Sequence, residues 1–245
     1  FSHISRDAEF YKKVKILSEQ EPKDTEYSPF KMVASSALYY LVSNIFHFRY
    51  PNYIHHRDFS AIKEAFYGVR SLFRKFIYPF YEKKYLEIIK NELSNNYFFV
   101  ALQTYNDFQV LEHSGYKSIE KFIIEVLESF SKNTLETWLV FKHHPVDRGR
   151  KNYKKFIIDQ ARHFGIEDRV LVLYDTHLPT CLKNAKGTVT INSTVGLSSL
   201  YHDTPVITLG NAIYDIEGLT CKNMKLDDFW YRQEAPDMEL LEKYR

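Results

Sequence analysis

The 245-residue chain is poor in the residues that punctuate and staple a fold, with 8 Gly, 8 Pro and 2 Cys. Two cysteines, Cys181 and Cys221, supply neither a disulfide framework nor a four-Cys zinc site. They read as small buried hydrophobes in a reducing, cytoplasmic protein. No apolar run approaches the ~20 residues that cross a bilayer, and the polar opening FSHISRDAEF is not patterned as a secretion signal. Walker and G-x-G-x-x-G phosphate loops are missing. Nucleic-acid-binding motifs are missing too, and a net charge of only +2 gives no reason to expect a nucleic-acid partner. What the chain has in abundance is aromatic carbon: 19 Tyr and 19 Phe within a composition that is 44% hydrophobic and 26% charged, as a globular core requires. Residues 1–90 hold 15 Lys/Arg against 10 Asp/Glu, a basic lead that fits either an anionic surface nearby or a solvated face.

Two textures divide the chain. Residues 1–94 form a mostly helical segment, with helical periodicity around 34–46 and 59–90. Leu38, Leu41, Val42 and Ile45 recur at the three- and four-residue spacing of a buried helix face. Pro22, Pro29, Pro51 and Pro79 are expected to end or bend helices. From about residue 95 short apolar runs at 97–103, 137–142, 169–174, 188–191 and 205–209 alternate with amphipathic stretches at 118–131, 151–164, 178–184 and 195–202. That alternation predicts an α/β domain over 95–245, a parallel sheet with helices on both faces. Ligands of such sheets sit outside the carboxyl ends of the strands.

Polar residues cluster at those ends. Asp107 follows the first strand among Gln103, Asn106 and Gln109, where amide neighbours would orient an ionised carboxylate as nucleophile or base; an Asx turn capping the loop explains it equally well. The second strand ends in Lys142-His143-His144-Pro145, and Pro145 fixes the chain after an imidazole able to donate to a phosphate or serve as a general acid, although a packed strand-end histidine is the plainer reading of the motif alone. Adjacent histidines on a strand point to opposite faces and do not chelate one metal. In Thr190-Ile-Asn-Ser-Thr-Val-Gly, a strand gives way to a helix whose N-terminus offers an anion site. Asn192, Ser193 and Thr194 supply donors there, and Gly196 admits a ligand or neighbouring backbone, beyond what the alternative of an ordinary Ser/Thr N-cap needs. The loop after the last strand carries Gly210, Tyr214, Glu217 and Gly218 facing the same edge, where it could wrap a nucleoside; Asp215 and Glu217 read equally well as solvated loop charges.

Taken in order, QTYNDFQ, FKHHP, Asp168-Arg-Val, INSTVGLSSL, LGNAIYDIEGLT and the following DDFW resemble the capsule polysaccharide biosynthesis/export family of Gram-negative bacteria, the KpsS/KpsC-like proteins, over about residues 96–230. The resemblance implies a GT-B-type glycosyltransferase whose second, Rossmann-like half lies at 95–245. A GT-B enzyme needs two such halves, and a chain that opens on Phe1 is expected to lack the first. The resemblance also implies a retaining, metal-independent β-Kdo transferase with CMP-Kdo as donor and no cofactor. Its acceptor would be lyso-phosphatidylglycerol or a Kdo-primed lipid, at the cytoplasmic face of the inner membrane among the capsule assembly and export machinery. By motif, Asp107 would be the nucleophile and His144 would assist CMP departure. Gln103, Gln109, Lys142, Asn192, Ser193, Thr194, Gly196, Tyr214, Glu217 and Gly218 would bind substrate, the last three beside the cytidine ribose. The other readings are a transferase using a different nucleotide sugar and a non-catalytic export or scaffold component.

Overall fold

The computed structural model describes residues 5–13, 29–50, 52 and 61–245; Pro22 and Pro51 lie outside them. Helices α1 (Ala8–Lys12), α2 (Pro29–Ile45) and α3 (Ala61–Asn91) precede β1 (Tyr97–Ala101). Then follow α4 (Phe108–His113), α5 (Ile119–Ser131), β2 (Trp138–Lys142), α6 (Lys154–His163), β3 (Val170–Leu173) and α7 (Leu178–Lys183). The chain ends with β4 (Gly187–Thr190), α8 (Thr194–Leu200), β5 (Val206–Thr208), α9 (Leu226–Phe229) and α10 (Met238–Tyr244). All strand pairings are parallel, in the order β3-β2-β1-β4-β5. The direction of winding therefore reverses between β1 and β4, which opens a crevice at their carboxyl ends.

Burial on both faces explains the apolar runs of β1, β2 and β3, whereas β4 reads Gly-Thr-Val-Thr and its buried Thr188 hydroxyl is satisfied by Ser199 at 2.7 Å. One face receives α5, whose Phe122, Ile123, Val126, Leu127 and Phe130 pack with Phe98 and Trp230. Ser118 caps that helix by accepting from Lys121 N at 3.3 Å. The other face receives the end of α3 and α7, with Ile89, Leu93, Cys181 and Leu182 against Tyr97, Phe99 and Val140. Burial pushes the Cys181 thiol up to about 12, so it behaves as a hydrophobe. A third cluster joins Tyr11 to Leu200, Tyr214, Ile216, Leu240 and Leu241, and the Tyr11 and Tyr244 rings meet at 5.1 Å. Ile89, Leu93 and Tyr11 of the helical segment thus join clusters built mainly by the residues that follow it.

Two expectations for the helical segment are corrected. Leu38, Leu41, Val42 and Ile45 do share a face of α2, but that face is exposed. Pro79 lies inside α3, which runs 31 residues without a break; Pro29, by contrast, opens α2. Among the described residues no helix is long and apolar enough to cross a membrane.

Candidate functional site

Three strand ends that neighbour one another in the sheet supply the first set of residues. Beyond β1, buried Gln103 spans the crevice: its Nε2 donates to Asn192 Oδ1 at 2.9 Å and to Asp107 Oδ2 at 3.2 Å, and its Oε1 accepts from Asn192 N at 3.3 Å. Asn192 returns a bond from Nδ2 to the carbonyl of Gln109 at 3.0 Å. The loops after β1 and β4 are therefore laced together by two amide side chains across the point where the winding reverses. Asp107 stands half-buried in this lacing and also caps α4, its Oδ1 accepting from Gln109 N at 2.9 Å. The Asx-type cap is thus present, and it occupies one carboxylate oxygen.

The two histidines after β2 differ completely. His143 is buried: Nδ1 lies 3.1 Å from Leu173 O, Nε2 accepts from Tyr153 N at 2.8 Å, and the ring stacks on Tyr174. A backbone N–H donating to Nε2 places the proton on Nδ1, and burial depresses the pKa to about 4. His143 is a packed, neutral, structural residue. His144 caps the 3-10 turn Pro145–Gly149, its Nδ1 accepting from Val146 N at 3.2 Å. Its proton therefore sits on Nε2. Partial burial and the Lys142 ammonium hold its pKa below the usual value, while the charge of Asp107 pulls the other way. The result is a neutral imidazole with its N–H donor turned away from its own turn. Lys142 is itself buried and directed to the loop after β3, with Nζ 3.4 Å from Tyr174 O; burial lowers its pKa.

After β4, Ser193 caps α8 by accepting from Val195 N at 3.2 Å, and Thr194 is exposed at the first turn. The loop after β5 departs from expectation. Tyr214 is 1% exposed, and its hydroxyl is spent on the carbonyl of Ser193. A Cβ on Gly196 would come within 2.1 Å of that hydroxyl, so the missing side chain makes room for Tyr214 and not for a ligand. Gly218, at φ +86°, packs by Leu240 and Asp237 of the C-terminal segment, and exposed Glu217 precedes it along a shallow cleft with Lys222 and Arg232. The edge thus gathers Gln103, Asp107, His144, Asn192, Ser193 and Thr194. Tyr214 and Gly196 sit beneath it, and Glu217 and Gly218 lie elsewhere.

Sequence reading missed what holds the loops after β2 and β3. α3 crosses them with a polar face. Glu82, 5% exposed, accepts from Tyr174 N at 2.5 Å, Asp175 N at 2.8 Å and Thr176 Oγ1 at 2.8 Å. Arg74 donates to the carbonyl of Arg148 at 2.6 Å, and Arg148 pairs with Asp175 at 2.5 Å. Arg150 grips Glu64 through two bonds, one of 2.8 Å. Gly149 lies so close to α3 that a Cβ would fall 2.2 Å from Tyr67 O. The turn that carries His144 is clamped by this helix. The partners lie 74 to 94 residues apart, so no local motif marks them.

The model of a family described as capsule polysaccharide biosynthesis protein matches the chain over residues 1–245. The chain belongs to that family. Among curated capsule polysaccharide proteins it is 38% identical over its whole length to the Escherichia coli "Capsule polysaccharide export protein KpsS", of which it covers 63%. It is 35% identical to the "Capsule polysaccharide modification protein LipB" of Neisseria meningitidis serogroup A, of which it covers 60%. The chain thus spans about three fifths of the length of these capsule relatives. Among solved structures, the "Thermosulfurimonas dismutans KpsC, beta Kdo 2,7 transferase" aligns at TM-score 0.42 and 18% identity, over 73% of this chain and 57% of that one.

Proposed function

We propose that the protein is a glycosyltransferase of capsule assembly, a retaining β-Kdo transferase. It moves Kdo from CMP-Kdo to a lyso-phosphatidylglycerol or Kdo-primed acceptor at the cytoplasmic face of the inner membrane. One observation carries the reading: the Gln103–Asn192 lacing across the β1–β4 crevice, with Asp107 on one wall, Ser193 and Thr194 on the other, and a neutral His144 donor at the next strand end. An acid, an imidazole N–H and two hydroxyls at one sheet edge suit departure of a phosphate from an anomeric carbon.

Asp107 Oδ1 accepts the helix cap at 2.9 Å and Oδ2 the longer, 3.2 Å bond from Gln103 Nε2, and in this reading Oδ2 is the attacking atom. It bonds to the anomeric carbon as the bond from that carbon to the phosphate oxygen breaks, and CMP departs with the electron pair. His144 Nε2–H and the hydroxyls of Ser193 and Thr194 donate to the phosphate oxygens. An acceptor hydroxyl then bonds to the same carbon, the carboxylate leaves, and the hydroxyl proton passes to solvent. Two inversions give retention.

The cap makes Asp107→Ala ambiguous, since it removes a helix stop as well as an acid. Asp107→Asn preserves capping and abolishes nucleophilicity. In the full-length protein it is expected to lower transfer from CMP-Kdo roughly a thousandfold or more, with CMP affinity by calorimetry and the melting temperature retained. Transfer near the wild-type rate rejects Asp107 as nucleophile, and equal affinity for CMP, UMP and AMP rejects the donor.

A further inference from the structure

The face that α3 turns away from the sheet is apolar, and the clamp described above does not use it. Ile62, Phe66, Val69, Phe73, Phe76 and Phe80 recur every three or four residues and form a stripe about 27 Å long. Each of the six is between 62% and 85% exposed. The opposite face holds Glu64, Arg74 and Glu82 in its ion pairs and hydrogen bonds. The helix is amphipathic with its apolar side outward, and a soluble surface does not leave a stripe of four phenylalanines in water without a partner.

Charge identifies the partner. Between residues 61 and 86 the helix has two carboxylates, Glu64 and Glu82, and both point inward to Arg150 and to the loop after β3. The charges bordering the stripe are Lys63, Arg70, Lys83 and Lys84, exposed or half-exposed and all cationic. A protein groove would match the phenyl rings without needing that border. A phospholipid surface matches both: rings sink to the acyl boundary while ammonium and guanidinium groups stay among phosphates.

We propose that α3 lies on an anionic phospholipid surface through the Ile62–Phe80 stripe, with its lysines and arginine at the headgroups. Because the other side of the helix clamps the loops after β2 and β3, the same contact brings the carboxyl edge of the sheet to the membrane. That a lipid acceptor then meets Asp107 there rests on the transferase reading; the lipid contact does not.

Flotation of the full-length protein tests this, with vesicles of phosphatidylcholine alone or with one third phosphatidylserine. At low salt the protein is expected to float about tenfold or more with the anionic vesicles, and less as salt rises. Phe73→Ser with Phe76→Ser, at exposed positions, should lower flotation about tenfold or more without moving the unfolding midpoint. Lys83→Glu with Lys84→Glu should remove the preference for anionic vesicles. A Phe76→Trp reporter should shift its emission to the blue when anionic vesicles are added. Equal flotation with both vesicles overturns the proposal, and so does flotation indifferent to the double serine variant. An emission already blue in vesicle-free protein and unmoved by lipid overturns it as well, since the stripe is then covered by protein. Phosphatidylserine is not the acceptor of the proposed transfer, so vesicle binding and transfer can fail separately.

Discussion

Helices α5 and α3 share apolar spacing of three and four residues and bury opposite faces. In α5 the apolar stripe goes inward, with Phe122, Ile123, Val126, Leu127 and Phe130 fully buried. In α3 the polar stripe goes inward over most of its length, and the phenylalanines face out. The difference lies in what each helix covers. α5 rests on an apolar sheet face. Most of α3 rests on the loops beyond β2 and β3, whose N–H groups, guanidinium groups and carbonyl need acceptors and donors. Where α3 finally reaches the sheet, at Ile89, it buries a hydrophobe like any other helix. Periodicity says which residues share a face; the chemistry opposite decides which face is inside.

The sharpest way to break that comparison is to remove one ring from each helix. Phe122→Ala is expected to cost about 3–5 kcal/mol in chemical denaturation, through lost burial and a cavity. Phe73→Ala should stay within about 0.5 kcal/mol, because its ring is already in water. Equal losses would mean that the outer face of α3 is covered in the full-length protein.

The next effect is one of pH and belongs to the polar side of the comparison. His143 stacks on Tyr174, which stacks in turn on Tyr78 of α3. Its folded pKa is about 4, against an ordinary value of 6.5. Between those values the unfolded chain holds a proton that the folded chain refuses, so stability rises with pH across the window. The contribution is complete above pH 6.5 and is lost as pH falls toward 4, by about 3 kcal/mol. Urea unfolding across that range should be flatter in His143→Gln than in wild type; identical slopes would remove His143 as the source.

The strands and the helices that alternate with them were legible because β1, β2 and β3, buried on both faces, leave continuous apolar runs, and because short strands and amphipathic stretches follow one another at regular spacing. The position of Asp107, His144 and Ser193 beyond neighbouring strand ends was legible because parallel sheets present their carboxyl ends at one edge. α4 escaped because a six-residue helix carries too little periodicity, and only its cap, Asp107, marks it. The inward turn of Tyr214 and the clamp on the His144 turn escaped because they depend on residues distant in sequence. Tyr214 fills the space left by Gly196, and Arg150 finds Glu64 across 86 positions.

The smallest effect probes that clamp directly. Glu64 and Arg150 are 12% and 15% exposed and share two hydrogen bonds, and the Arg150 guanidinium lies 5.0 Å over the Tyr67 ring. The hydrogen bonds and charge of Glu64 hold the Arg150 pKa above its ordinary value. Each single change, Glu64→Gln or Arg150→Gln, leaves the other group without its counter-charge, and the double change removes both. A double-mutant cycle in urea is therefore expected to give a coupling of about 1–2 kcal/mol. Because Arg150 directly follows the turn that His144 opens, each single variant should also shift the His144 pKa measured by NMR, and the double variant should restore part of the shift. A coupling near zero would mean that the Glu64–Arg150 pair adds nothing to the hold supplied by Arg74, Glu82 and the approach of Gly149 to the Tyr67 backbone.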